Sequence, residues 1–284
     1  MGAVGGAKIR SLEFRIQNRR AFTLIEMLVV ISILGILAAL TVPALKNLGK
    51  SNVTVSAARQ LLDDVGRARQ LAISRHTTVY MVFVRPNFWM APTYPNPWWN
   101  GLTTFAQKSV ATNLCGMQLA GYNFVSLRSA GDQPGRNTPH YLAQWQKLPD
   151  GSFIAQQKFQ STNYIPTYDP TVPVYGFNTA NYIPFPTEDS RVFSGLYLPY
   201  IAFNYLGQLT VDGQNLAGRD EYIPLAQGTV SPAINAAAKT FTLDAASSAV
   251  VTENPPGNST NIAYNIVHID RLTGRATLEF YKVH

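Results

Sequence analysis

The hydrophobic pattern of the chain changes character twice. From Met27 to Val42 every position is apolar or small, and Glu26 is the sole charge between Phe22 and Leu45. Counted from Phe22, this run is slightly over twenty residues, about 30 Å as a helix, which matches the hydrocarbon core of a bilayer. From Ser51 to Arg75 the pattern becomes amphipathic. Ala57, Ala58, Leu61, Leu62, Val65, Ala68, Leu71 and Ala72 recur at helical spacing, with Asp63, Asp64, Arg67, Arg69 and Arg75 mainly on the other side. Together the two stretches predict a helix of about 80 Å if it is continuous from Phe22 to Ser74. Pro43 removes a backbone donor and is expected to kink it. Lys46, Asn47, Gly49 and Ser51 mark a second place for a bend.

Beyond residue 76 the runs shorten and become β-like. Val79–Val84, 122–127, 152–156, 192–203 and 205–210 are rich in β-branched and aromatic residues, with a turn near Gly207. Asn265–Ile269 and Ala276–Tyr281 flank Asp270-Arg271-Leu272-Thr273-Gly274-Arg275. This reads as a hairpin in which Gly274 supplies a positive φ. Residues 85–190 interrupt the pattern with Pro, Asn and aromatics, most densely at 85–101 (RPNFWMAPTYPNPWWNG). They are expected to be long ordered surface loops between strands, since a solvating linker would hold fewer aromatics. Trp89, Tyr94, Trp98, Trp99 and Tyr122 either pin these loops to the sheet or form a recognition surface.

Charge refines the picture. The chain carries a formal net charge of +7. Lys8, Arg10, Arg15, Arg19 and Arg20, opposed by Glu13, place +4 of it before Phe22, so the body is nearly neutral and charge alone implies no polyanion-binding face. Basic residues on the N-terminal side of the apolar run keep residues 1–21 in the cytoplasm by the positive-inside rule. The single cysteine, Cys115, excludes an intrachain disulfide and reads as a small hydrophobe. His76, His140, His268 and His284 have no partner at metal-ligand spacing. Asp212, Asp220 and Glu221 match no calcium-loop signature, and Asp63-Asp64 reads as a solvated helix face. No phosphate-cradling loop and no nucleophile–base set is present. No cofactor or metal is called for, and an enzyme is not indicated.

The N-terminal segment fits a cleavable secretory signal poorly, because its apolar run is long and continues past Pro43. Glu26 within the run fits a twin-arginine signal poorly as well. The junction Arg19-Arg20-Ala21 followed by Phe22-Thr23-Leu24-Ile25-Glu26 instead resembles type IV prepilins and type II secretion pseudopilins. Those proteins join a short basic leader and a small residue to Phe-Thr-Leu-Ile-Glu and an apolar helix. The resemblance implies leader cleavage between Ala21 and Phe22, N-methylation of Phe22, and a glutamate at the fifth mature position, Glu26. That glutamate would serve peptidase recognition and assembly, pairing with the α-amino group of Phe22 on a neighbouring subunit. Thr23 and Glu26 also fit a capping box, which is compatible with pairing before assembly. The departures are Ala21, where glycine is usual, and the length of the leader. Residues 58–75 with the strand that follows are more weakly similar to the H-type pseudopilin and FimT-like minor pilins.

The implied fold is α+β and pilin-like, with a long N-terminal helix packed on an antiparallel β-sheet body. A cytoplasmic leader (1–21) would precede a transmembrane helix (22–45), an amphipathic helix of the spine (46–75) and a periplasmic β-rich domain (76–284) with inserted loops at about 85–190. The implied role is a minor pseudopilin in a periplasmic filament at the bacterial inner membrane. Its partners would be prepilin peptidase and other pseudopilins or pilins. The alternative is a minor type IV pilin or an anchored binding module for DNA or surface glycans. In the DNA case Arg271 and Arg275 would touch phosphate, though two arginines in a turn are more often solvated.

Overall fold

Alanine at positions 57, 58, 68 and 72 leaves a helix face shallow enough for a β-sheet to approach closely, and the body is built on that face. The computed structural model describes residues 23–90, 101–128, 138–168, 171–190, 197–235, 240–241, 249–260 and 263–282. The chain divides into two units, Met1–Leu48 and Gly49–His284. Helix α1 is assigned from Leu24 to Arg75, and the assignment runs through Pro43. It ends where His76 takes a left-handed conformation (φ +50°). There His76 N donates to Ile73 O and Thr77 N to Ala72 O, the paired bonds of a Schellman cap.

In the second unit, strands β1 (Val79–Phe83), β2 (Gly121–Ser126), β3 (His140–Tyr141), β4 (Gln146–Lys147), β6 (Tyr200–Phe203) and β7 (Leu209–Thr210) form one antiparallel sheet. Its order is β3-β2-β1-β6-β7, with β4 also on β2. A second antiparallel sheet runs β11 (Val250–Glu253), β8 (Glu221–Ser231), β12 (Ala263–Ile269), β13 (Ala276–Lys282), with β5 (Ser152–Ile154) paired to β8. A short ladder joins β9 (Ile234–Asn235) to β10 (Thr240–Phe241).

The uninterrupted apolarity of β1 has a simple cause, which is that both of its faces are buried. Val79, Met81 and Phe83 share a core with Ala57, Ala58, Leu61, Val65, Ala68 and Ala72 of α1. That core also takes Ile223 and Leu225 of β8 and Val267 and Ile269 of β12. Tyr80, Val82 and Val84 belong to a second core covered by helix α2 (Phe105–Cys115) through Ala111, Leu114 and Cys115. Phe88, Trp89, Ile183, Phe185 and Leu198 complete it. A third cluster sets Ile165, Tyr168, Val172 and Val174 against Ile266.

The described parts of residues 85–190 are more than the surface loops expected between strands. They supply α2, four strands and most of the layer over the outer face of the first sheet. Asp64 likewise is not part of a solvated face. It is buried, and its Oδ2 accepts from Tyr122 Oη at 2.5 Å. Gln60 Nε2 donates to the same hydroxyl at 2.8 Å.

Candidate functional site

The helix that opens the described chain carries the chemistry singled out in the sequence. Ala21 and Phe22, the expected cleavage and methylation positions, lie outside the described residues. Thr23 caps α1: Glu26 N donates to Thr23 Oγ1 at 3.3 Å and to Thr23 O at 3.1 Å, and Met27 N to Thr23 O at 3.2 Å. The Glu26 side chain is exposed one turn into the helix. This places its carboxylate near the positive end of the helix dipole.

After Glu26 the helix is apolar on every side. The large side chains from Leu24 to Leu37 are all exposed, from 86% at Leu24 to 44% at Val30. Ser32 Oγ, the one hydroxyl among them, donates to Leu28 O at 2.8 Å, so no polar donor is left outward. Among the described residues no helix is long and apolar enough to cross a membrane. The uncharged stretch with described side chains, residues 27–39, rises about 20 Å, short of a hydrocarbon core of about 30 Å. The span expected over 22–45 also draws on Phe22 and on side chains from residue 40 onward, which lie outside the described set.

Of the aromatics expected either to pin the loops or to form a recognition surface, the two described ones pack the fold. Trp89 is 2% exposed and set edge-on against Phe88 in the second core. Tyr122 is fully buried beneath α1. Both pack the fold and present no surface, because each lies against a sheet face that a helix covers. Tyr94, Trp98 and Trp99 lie outside the described residues. Arg271 and Arg275 sit exposed on the β12–β13 turn. The Arg271 guanidinium donates to Gly218 O at 2.9 Å and its backbone N to Asp220 Oδ1 at 3.0 Å, so it braces the turn. Cys115 is buried against α2's own carbonyl at Ala111, and burial pushes its thiol up to about 12.

The acidic residues near 212–221 are separated by their partners. Asp212 accepts from Gln214 N and Asn215 N at 2.9 and 2.7 Å. Glu221 pairs with the fully buried Lys158, which also donates to Tyr175 O. Asp220 Oδ2 lies 3.0 Å from His268 Nε2, while Glu279 Oε1 lies 2.6 Å from His268 Nδ1. Tyr222 stacks on that imidazole with ring centroids 4.4 Å apart. Burial acts to lower the His268 pKa, but hydrogen bonds to and charge from both carboxylates outweigh it and raise it above 6.5. No local spacing links residues 220, 268 and 279. Only the register of β8, β12 and β13 brings them together, which is why they escape a reading of the sequence.

No curated protein and no solved structure matches the chain. Residues 16–42 match the family model of the prokaryotic N-terminal methylation motif. The match ends before residues 58–84, so it lends nothing to the H-type resemblance. It covers the basic junction, the Phe-Thr-Leu-Ile-Glu sequence and the apolar run that the capped, all-round apolar helix displays. The chain thus carries the prepilin-type N-terminus of type IV pilin-like proteins and pseudopilins, the segment that prepilin peptidase processes.

Proposed function

We propose that this protein is a non-catalytic structural subunit, a minor pseudopilin of a type II secretion-like machine. It is held in the inner membrane by residues 22–45 with its body in the periplasm, cut between Ala21 and Phe22, and drawn into a filament with other pseudopilins. The observation that carries this reading is the methylation motif joined to a helix with eleven large apolar side chains exposed between Leu24 and Leu37. Left in water at these exposures, those side chains forgo about 1 kcal/mol or more each. That sum is comparable with the ~5–15 kcal/mol net stability of a typical domain. Lipid before processing, and neighbouring helices after it, remove the exposure. Glu26 then has a partner only in the second setting, where the α-amino group freed at Phe22 of an adjacent subunit neutralises its charge.

Intact-mass spectrometry of the chain from cells with and without active prepilin peptidase tests the reading. The expected product with peptidase begins at Phe22 and carries one added methyl group. A chain that still begins before Phe22 in peptidase-positive cells would overturn it.

A further inference from the structure

A cleft of about 640 Å³ opens over the outer face of the first sheet, beside the second core, and the assembly role uses none of the groups that line it. It lies among α2, strands β2 and β3, and residues 186–189. Tyr141 and Trp145 form an aromatic wall, with ring centroids 5.7 Å apart and planes at 47°. Their polar atoms are tied into the protein. Tyr141 Oη donates to Pro184 O at 2.6 Å and Trp145 Nε1 to Pro186 O at 3.0 Å. What these residues offer an occupant is therefore ring surface.

Two carboxylates are fixed at the same cleft. Glu188 Oε2 accepts from Tyr141 N at 3.1 Å and lies 3.4 Å from His140 Nδ1. Asp189 Oδ1 accepts from Thr187 Oγ1 at 2.5 Å, a bond that holds Asp189 below the usual carboxylate range. The deepest polar group is Asn123, only 1% exposed. Its Oδ1 accepts from Phe124 N at 2.7 Å, which fixes the orientation of the amide. The amide nitrogen therefore points away from that bond, has no hydrogen-bond partner among the described residues, and belongs to a side chain that lines the cleft.

These features select among ligand classes. Among the described residues no lysine or arginine lines the cleft, so an anion would meet two carboxylates with only His140, 3.4 Å from Glu188, beside them. A cation suits the carboxylates and the rings, but it sets its charge against the Asn123 donor. A hydrocarbon leaves the Asn123 amide nitrogen unpaired and shuts the two carboxylates off from water. Only a ligand that presents apolar C–H surface with hydroxyls able both to donate and to accept uses every group.

We propose that this cleft is a binding site for a neutral saccharide. A pyranose ring rests against Tyr141 and Trp145, one hydroxyl accepts from Asn123, and others donate to Glu188 and Asp189. The site is independent of the assembly reading, since it stands on the body and not on the N-terminal helix.

The test uses the full chain in lipid nanodiscs, which avoids sugar-headed detergents. Saturation-transfer NMR and calorimetry are run against a panel of neutral oligosaccharides that includes maltotriose, cellotriose and chitotriose. Choline serves as the cationic probe and a glucuronate disaccharide as the anionic one. At least one neutral oligosaccharide is expected to bind, and the charged probes are not. Asp189→Ala, an exposed change, and Asn123→Ala, with native circular dichroism as the fold control, should each weaken binding about tenfold or more. The proposal is overturned if no neutral saccharide binds, if choline or glucuronate binds in its place, or if binding survives both substitutions unchanged.

Discussion

His76 closes α1 in a left-handed conformation that glycine adopts freely and a β-carbon resists. Its side chain is exposed, so replacing it removes no packing. His76→Gly is expected to stabilise the body by about 1 kcal/mol, read from urea or thermal denaturation. His268 makes an opposite kind of prediction, because its value lies in its charge. The Asp220–His268–Glu279 set is complete only when the imidazole carries both protons, since each ring nitrogen faces a carboxylate. Asp270 and the Tyr222 ring complete its surroundings. With the folded pKa above the unfolded value, the set's contribution is fully present below about pH 6.5. It is lost as pH rises through the higher folded value. Unfolding midpoints measured from pH 5.5 to 9 should fall with pH in the wild type and fall less in His268→Gln. Equal slopes in the two proteins would refute the role. Neither residue is conspicuous in the sequence, because a left-handed φ and a three-strand charge set are made by tertiary context.

At the scale of elements, the two strands of the closing hairpin and the spine helix were legible, and β8 and α2 were not. The hairpin announces itself through Gly274, whose added Cβ would lie 2.0 Å from Gly207 O. Strand β8 hides behind Pro224 and Gly228, residues that argue against a central strand. The structure accommodates both. Pro224 O still accepts from Ala155 N, and Gly228 sits where β11 passes too close for a side chain, with Thr252 O 2.0 Å from its would-be Cβ. Helix α2 did carry a signal. Thr104 and Gln107 form a capping box in which Gln107 N donates to Thr104 Oγ1 and Gln107 Oε1 accepts from Thr104 N. The dense prolines and aromatics just before it obscured that spacing. The turn at 156–159 is joined to β8 by the buried Lys158–Glu221 pair. Lys158→Met leaves Glu221 without its partner and should cost about 3–5 kcal/mol. Replacing both, as Lys158→Met with Glu221→Leu, should recover most of that loss in the same denaturation assay.

For the whole molecule, the sequence reading succeeds where the pattern is long and repetitive and falters where function depends on what folds over what. The prepilin-type junction and the α+β plan were readable because an apolar run and a helical stripe are each set by local order. Which of the two roles open to Trp89 and Tyr122 is taken could not be read locally, because Tyr122 is buried by α1 on one face of the first sheet and Trp89 by the layer that includes α2 on the other. The cleft at Asn123 was invisible because its walls are gathered from four separate stretches of chain. Assembly is the property to test at this scale. Glu26→Ala should leave cleavage at Phe22 intact by mass spectrometry and reduce recovery of the chain in sheared or cross-linked filaments about tenfold or more. Normal incorporation would remove the pairing role.

The shallow alanine face of α1 has a mechanical consequence. Its contacts reach strands of both sheets, Gln60 holds Tyr122 and Lys147 O, and Arg69 Nε grips Thr273 O at 2.7 Å on the closing hairpin. A pull on this stretch of α1 therefore meets contacts to both sheets and to the closing hairpin at once. The body is fastened to its spine at several separate points of the chain, so the load on any one of them is shared.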